Sequence, residues 1–179
     1  SENIWKSFSD PLLNLLSSHS ETQLDLLESR HAMEGISAYF AALRGTDEDF
    51  ARIQACQEKI HGAQDKGDIE AESAAVMAFL IALTEAAHNV VLLHIVRSLA
   101  PLLEQNVLEN LKLLHRRKDV VEKVSIHRAN IVDAIVSGQP EQAREMSHSH
   151  LAYIEETLMD LTKEESRRER SLRRIQQGK

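Results

Sequence analysis

Apolar residues recur along this chain at the three- and four-residue spacing of helices, with no strand-like alternation. The segment Glu21–Arg44 shows the pattern most plainly, with Leu26, Met33, Ser37 and Phe40 on one stripe. Arg30 falls inside that stripe, four residues after Leu26 and three before Met33, and Glu34 lies at its edge. A guanidinium on an apolar helix face is unfavourable unless something answers its charge.

The same spacing predicts the elements that follow. Gly45-Thr46 stops the first helix and caps a mostly polar one, Asp47–Lys66, expected on the outside. Gly67-Asp68 repeats the device before Ile69–Ala87, whose stripe holds Val76, Phe79, Leu80, Leu83 and Ala87. After a break at His88-Asn89, Val90–His115 is long and apolar, and Pro101 should kink it. A charged turn, Arg116–Asp119, leads to Val120–Ser137, which Gly138 closes. Gln139-Pro140-Glu141 opens the last helix, which runs to Gln176. Upstream, Ser9-Asp10-Pro11 opens a short helix to Ser18, with Ile4, Trp5 and Phe8 packing back as an arm. The prediction is an all-α fold: one antiparallel bundle of six to seven helices with short loops, enclosing a pocket and spanning residues 1–179. Residues 163–179 have no stripe and read as a charged helical tail.

Composition agrees with helices, since 179 residues include only 6 Gly and 3 Pro, with 4% aromatics. A net charge of −7 argues against nucleic-acid binding by this stretch itself. The single cysteine, Cys56, forms no internal disulfide, so a reducing, cytoplasmic setting is expected. Val90–Leu103 is interrupted by His94, Arg97 and Pro101, so no membrane span is expected. The opening SENIWKSFSD has neither an initiator Met nor a signal peptide's pattern, and a fragment lacking its upstream portion is expected.

Polar residues on apolar stripes supply the candidate chemistry. His127 shares a stripe with Val120, Val124 and Ile131, with Arg128 near its other edge. His150 sits between Met146 and Ile154, while His148 points outward. Asn106 and Asn110 continue the stripe of Leu99 and Leu103. Any one of these would ordinarily be satisfied by a neighbour. Together, a cation, two imidazoles and two amides suit a small anionic ligand, and two imidazoles equally suit a metal. No nucleophile elbow, phosphate loop or HExxH pattern is present, so no enzyme is expected.

The ordered segments LLESRHAMEGISAYFAAL, FLIALTEAAHN and SIHRANIVDAIVSGQPEQAREMSHSHLAYIEE resemble the effector-binding C-terminal domain of GntR-family regulators of the FadR subfamily. The opening WKSFSDPLL and the ending EESRRERSLRR resemble its pyruvate-responsive repressors most. The resemblance implies a homodimer with a small-carboxylate pocket, for which pyruvate is the expected effector, and DNA binding through a winged helix-turn-helix domain that this chain lacks. It matches Arg30 to the pocket arginine and Glu34 to the glutamate that follows it. It also implies that many members hold a metal, Zn²⁺ or Ni²⁺, through one Asp and three His. The last two histidines match His127 and His150, but the DxxFHxxIxxAxxN pattern reads VMAFLIALTEAAHN here. Val76 and Leu80 stand where the metal Asp and first His would be, so no cofactor is expected. Arg30 would then grip the carboxylate, with His127, His150, Asn106 and Asn110 as donors and Val76, Leu80 and Leu83 as an apolar wall.

Overall fold

Joints of two or three residues set the path of this chain. Thr46 Oγ1 accepts a hydrogen bond from the Asp49 N–H at 3.2 Å, and the Thr46 N–H donates to the Asp49 carboxylate at 2.9 Å. That reciprocal capping box starts a helix immediately after the previous one stops. Gly67 and Gly138 end their helices in the left-handed region, at φ 64° and 67°, where a side chain would be strained. Asp68 and Asn89 cap the helices that follow by accepting from Ala71 N and Leu92 N.

The computed structural model describes residues 20–177, and the short helix and arm expected upstream lie outside that span. Six helices fill it: α1 (Ser20–Arg44), α2 (Asp47–Lys66), α3 (Ile69–Ala86), α4 (Val90–Leu114), α5 (Lys118–Val136) and α6 (Pro140–Gln177). The architecture is an all-α bundle. Short loops join consecutive helices, α2 packs on α3 and not on α1, and α4 passes through Pro101 as one unbroken element. The end of α6 is helical and exposed, anchored on one side by an Arg116–Glu165 pair at 2.9 Å.

Helix α1 is the hub, packing against α3, α4, α5 and α6. Its apolar residues do not feed one continuous core. At one end Leu27 joins Leu114, Val120, Val124, Leu151 and Leu158. Leu26 joins Leu80, Val96 and Leu103 on another side. At the far end Ala38, Ala41 and Ala42 join Ile53, Phe79, Leu83 and Ile135. Between the two ends of α1 lie Arg30, Glu34 and Ser37, all buried. The interior is therefore apolar, polar and apolar in turn along the hub helix. Glu34, expected at the edge of the stripe, is instead well inside it at 8% exposure.

Candidate functional site

The polar layer is built by three helices. From α1 come Arg30 and His31, from α5 His127 and Arg128, and from α6 Ser147 and His150. Each contributes a buried side-chain atom with no hydrogen-bond partner in the chain: Arg30 Nε, His31 Nε2, His127 Nδ1, Arg128 Nη1, Ser147 Oγ and His150 Nδ1. Among the described residues these six are the buried side-chain N and O atoms left without a partner. Native interiors leave few such atoms, and each unanswered group costs about 1–3 kcal/mol. All six lie on α1, α5 and α6, and a polar group placed among them would answer these atoms.

Geometry and charge bind the group together. The rings of His127 and His150 lie 5.8 Å apart, edge to face, and His127 stands 5.3 Å from the Tyr153 ring. The His31 ring lies 5.2 Å from that of His148, tilted by 46°, and His148 is exposed as expected. The Arg128 guanidinium sits 6.0 Å from the Phe79 ring centroid, which brings an apolar face of α3 to the layer. Burial lowers the Arg30 pKa from 12.5 to about 10, Glu34 opposes that shift, and Arg128 adds to it. Burial likewise raises the Glu34 carboxyl above its ordinary range, against the pull of Arg30 and Arg128. His150 is held well below 6.5 by burial, then by Arg128, His127, Arg30 and His31. Burial thus works against the charged form of both the Glu34 carboxyl and the His150 ring, beside two guanidiniums.

Arg30, Glu34, His127 and His150 thus come together, while Asn106 and Asn110 are engaged elsewhere. Asn106 gives its amide hydrogens to the Gln23 carbonyl at 3.1 Å and Gln23 Oε1 at 2.7 Å. Asn110 donates to Asn106 Oδ1 at 3.4 Å. These amides are answered inside the chain, against the expectation that they face the ligand. Arg128, read as lying near a stripe's edge, is instead among the most buried charges, at 5% exposure. Its position four residues after Val124 and three before Ile131 was the available signal. Ser147, three residues before His150, carries the same signal, whereas nothing in the pattern marks His31.

A second buried carboxylate, Glu72, is satisfied without any ligand. It accepts from Gln64 at 2.9 Å and bonds His115 Nε2 at 2.6 Å, and Gln64 in turn accepts from Ser125 at 3.0 Å. This network ties α2, α3 and α5 to the end of α4 beside the layer, and Glu72 is the next carboxylate after Glu34 that Arg128 feels.

The metal implied by the resemblance does not fit these residues. Leu80 packs into an apolar cluster with Leu26 and Leu103, and Val76 is likewise no ligand. Among the described residues no three His, Cys, Asp or Glu side chains stand close enough to hold an ion. Two imidazoles fall short of the three or four protein ligands such sites use.

A cavity of about 880 Å³ lies elsewhere, between α1, α4 and α6, lined by Gln23, Leu27, Asn110, Leu113 and Leu158. Its rim charges include pairs that answer each other, Lys112 with Glu109 at 3.0 Å and Arg116 with Glu165 at 2.9 Å. It offers space without buried, unanswered charge, so a small anion is better served by the polar layer.

Comparison with known proteins bears on the family and the fold. Residues 25–153 match the FCD domain model. The chain is 29% identical over 163 residues to a protein of Escherichia coli strain K12 named for regulating an L-lactate dehydrogenase operon, a match covering 91% of this chain and 62% of that protein. It is 31% identical over 154 residues to the Glc operon transcriptional activator of the same strain, covering 84% and 61%. The solved Streptococcus agalactiae GntR shares the fold at a TM-score of 0.61 and 20% identity, over 79% of this chain and 62% of that one. The chain thus spans about three fifths of the length of these two curated relatives, which are named as transcriptional regulators and not as enzymes. No helix among the described residues is long and apolar enough to cross a membrane.

Proposed function

We propose a function from one premise: the chain belongs to the FCD-domain family of GntR-type transcriptional regulators. It is the ligand-sensing domain of a cytoplasmic regulator, and its effector is a small carboxylate bound in the polar layer of α1, α5 and α6. The observation that carries this reading is the set of unpartnered buried polar atoms on α1, α5 and α6, two of them on guanidiniums. Arg30 takes the carboxylate in its planar fork. His127, His150 and Ser147 hydrogen-bond the remaining oxygens, and the Phe79 side of α3 faces the apolar end. Pyruvate is the effector by resemblance to the pyruvate dehydrogenase complex repressor. One relative is named for an L-lactate dehydrogenase operon, and L-lactate is a small carboxylate of the same chemical class as pyruvate.

The output is mechanical. Helix α1 packs on four other helices, so drawing Arg30 and Arg128 onto one anion shifts the hub of the bundle. In the whole regulator, acting as a homodimer, that shift alters the spacing of two DNA-binding domains and lowers operator affinity. A coupling of about 1–3 kcal/mol is enough for a useful response.

Titration calorimetry with pyruvate, L-lactate and glycolate tests the site. At least one of the three should bind, and Arg30→Ala should weaken it about thirtyfold or more with the helical circular dichroism unchanged. Binding should also survive exhaustive EDTA treatment of protein prepared without a nickel column. Undiminished affinity in Arg30→Ala removes the assignment, and loss of binding in EDTA makes the imidazole pair a metal-assisted site.

A further inference from the structure

We propose that the groove between α1, α4 and α6 is the seat of the chain's own opening segment, residues 1–19, and that Trp5, Phe8, Leu12, Leu15 and Leu16 fill it. This docking is independent of whether the polar layer is the effector site.

The groove is apolar where it is open. Leu24 and Leu27 of α1, Leu113 of α4, and Leu158 and Met159 of α6 line its volume of about 880 Å³. Leu24 is 37% exposed and Met159 45%, so two large apolar side chains on different helices are left open to one trough. Clustered exposed apolar surface of this kind marks an interaction site, unlike single scattered residues. Of the five charged residues that line the groove, four pair with one another, Lys112 with Glu109 and Arg116 with Glu165. The groove therefore suits an apolar occupant better than a charged one.

The opening segment has the matching pattern and the shortest path. Seven of its 19 residues are Ile, Leu, Phe or Trp, and Phe8, Leu12, Leu15 and Leu16 fall on one helical stripe. A stripe of large apolar side chains gains by being covered. The segment joins α1 at Ser20, and Leu24 and Leu27 follow within the next two turns of that helix. The groove thus lies beside the point where the segment meets the bundle, and little chain has to be closed into a loop. Ser17 and Ser18 are turn formers at the reversal this path requires. A segment tethered this closely acts at an effective concentration on the order of millimolar, which favours it over the same segment of a second copy. Once seated, it packs on α1, α4 and α6 together and holds the first turns of the hub helix, just ahead of Arg30, against both neighbours.

Trp5 is the chain's one tryptophan, so its fluorescence reports this segment alone. In the whole 179-residue chain its emission should be blue-shifted from that of the urea-unfolded chain and protected from acrylamide. Leu24→Glu and Met159→Glu place a charge in the groove at residues already more than a third exposed. Each should return the emission to the unfolded position with the helical circular dichroism unchanged. Leu172→Glu, at a residue 51% exposed on the charged tail and outside the groove, should leave the blue shift in place. If Leu24→Glu does not fold, Met159→Glu decides the matter. The blue shift should also persist on dilution; its loss there would seat the segment on a second copy and overturn docking within one chain. Solvent-like emission in the folded wild type, a blue shift retained in both groove variants, or equal loss in Leu172→Glu would each overturn the inference as well.

Discussion

Arg30→Met separates the two roles a buried guanidinium can have. A structural arginine holds the fold together, whereas a binding arginine burdens it until the ligand arrives. The environment moves the Arg30 pKa from 12.5 to about 10, mainly through burial, with the attraction of Glu34 already included. At about 1.4 kcal/mol per pKa unit, the fold carries roughly 3 kcal/mol against keeping this side chain charged. The sign follows from linkage. At neutral pH the group is protonated in both folded and unfolded chains, so the penalty is fully present there and is relieved only as pH rises through 10. Methionine fills similar space without a charge, and replacement of buried charged groups by apolar ones is often neutral or stabilising by about 1–4 kcal/mol. Glu34 loses a cation in the exchange, which removes part of the gain. The expected net is a rise of about 1–2 kcal/mol, or roughly 2–8 °C in Tm for a chain of this size. The assay is thermal melting with and without L-lactate or pyruvate. Wild type should gain about 2.7 kcal/mol at a ligand concentration of 100 Kd, and the variant should gain nothing at the same concentration. A ligand-free Arg30→Met that melts several degrees below wild type, about 2 kcal/mol less stable, would show that Arg30 is an anchor for Glu34. Arg30 would then be a structural residue and not the one that takes the carboxylate.

Other consequences are as accessible. Burial, then His148 and Arg30, brings the His31 pKa from 6.5 down to about 4. The unfolded chain therefore takes up a proton that the fold resists, and stability present above pH 6.5 is lost as pH falls toward about 4. Because the ring is half exposed, the effect should be on the order of 1 kcal/mol, read as urea midpoints from pH 7.5 to 4.5 that flatten in His31→Gln. Glu72→Ala removes the acceptor of both Gln64 and His115 in the interior and should lower stability by about 2–4 kcal/mol in urea melts. It should also weaken carboxylate binding only slightly, since Glu72 touches Arg128 electrostatically and not the ligand; loss of binding in a folded Glu72→Ala would place it in the site itself.

The helices were legible because their ends are written locally. Thr46, Gly67, Asp68, Asn89 and Gly138 each act within a few residues of where they stand, so their positions alone placed four of the five joints, whereas α5, which has no side-chain cap, starts at Lys118 inside the turn expected at Arg116–Asp119. The site was legible in part. A polar residue on an apolar stripe announces burial, which located Arg30, His127 and His150. The same logic hides a charge that occupies the centre of the stripe, because the stripe is drawn through the apolar residues around it. Arg128 was placed at an edge for that reason, although Val124 and Ile131 flank it in register. Burial also does not say who answers a polar group. Ser37 finds Thr84 at 3.1 Å across to α3, and Asn106 finds Gln23, 83 residues earlier in the chain. Those partners come from packing, beyond what helical periodicity can show. The buried polar residues thus divide in two. Ser37, Glu72 and Asn106 are answered by the chain and stabilise it. Arg30, Arg128, His127, Ser147 and His150 keep atoms that the chain leaves unanswered, between apolar clusters that hold them in place. That division, and not the number of polar residues facing inward, is what makes the layer the proposed site and leaves Ser37, Glu72 and Asn106 to the core.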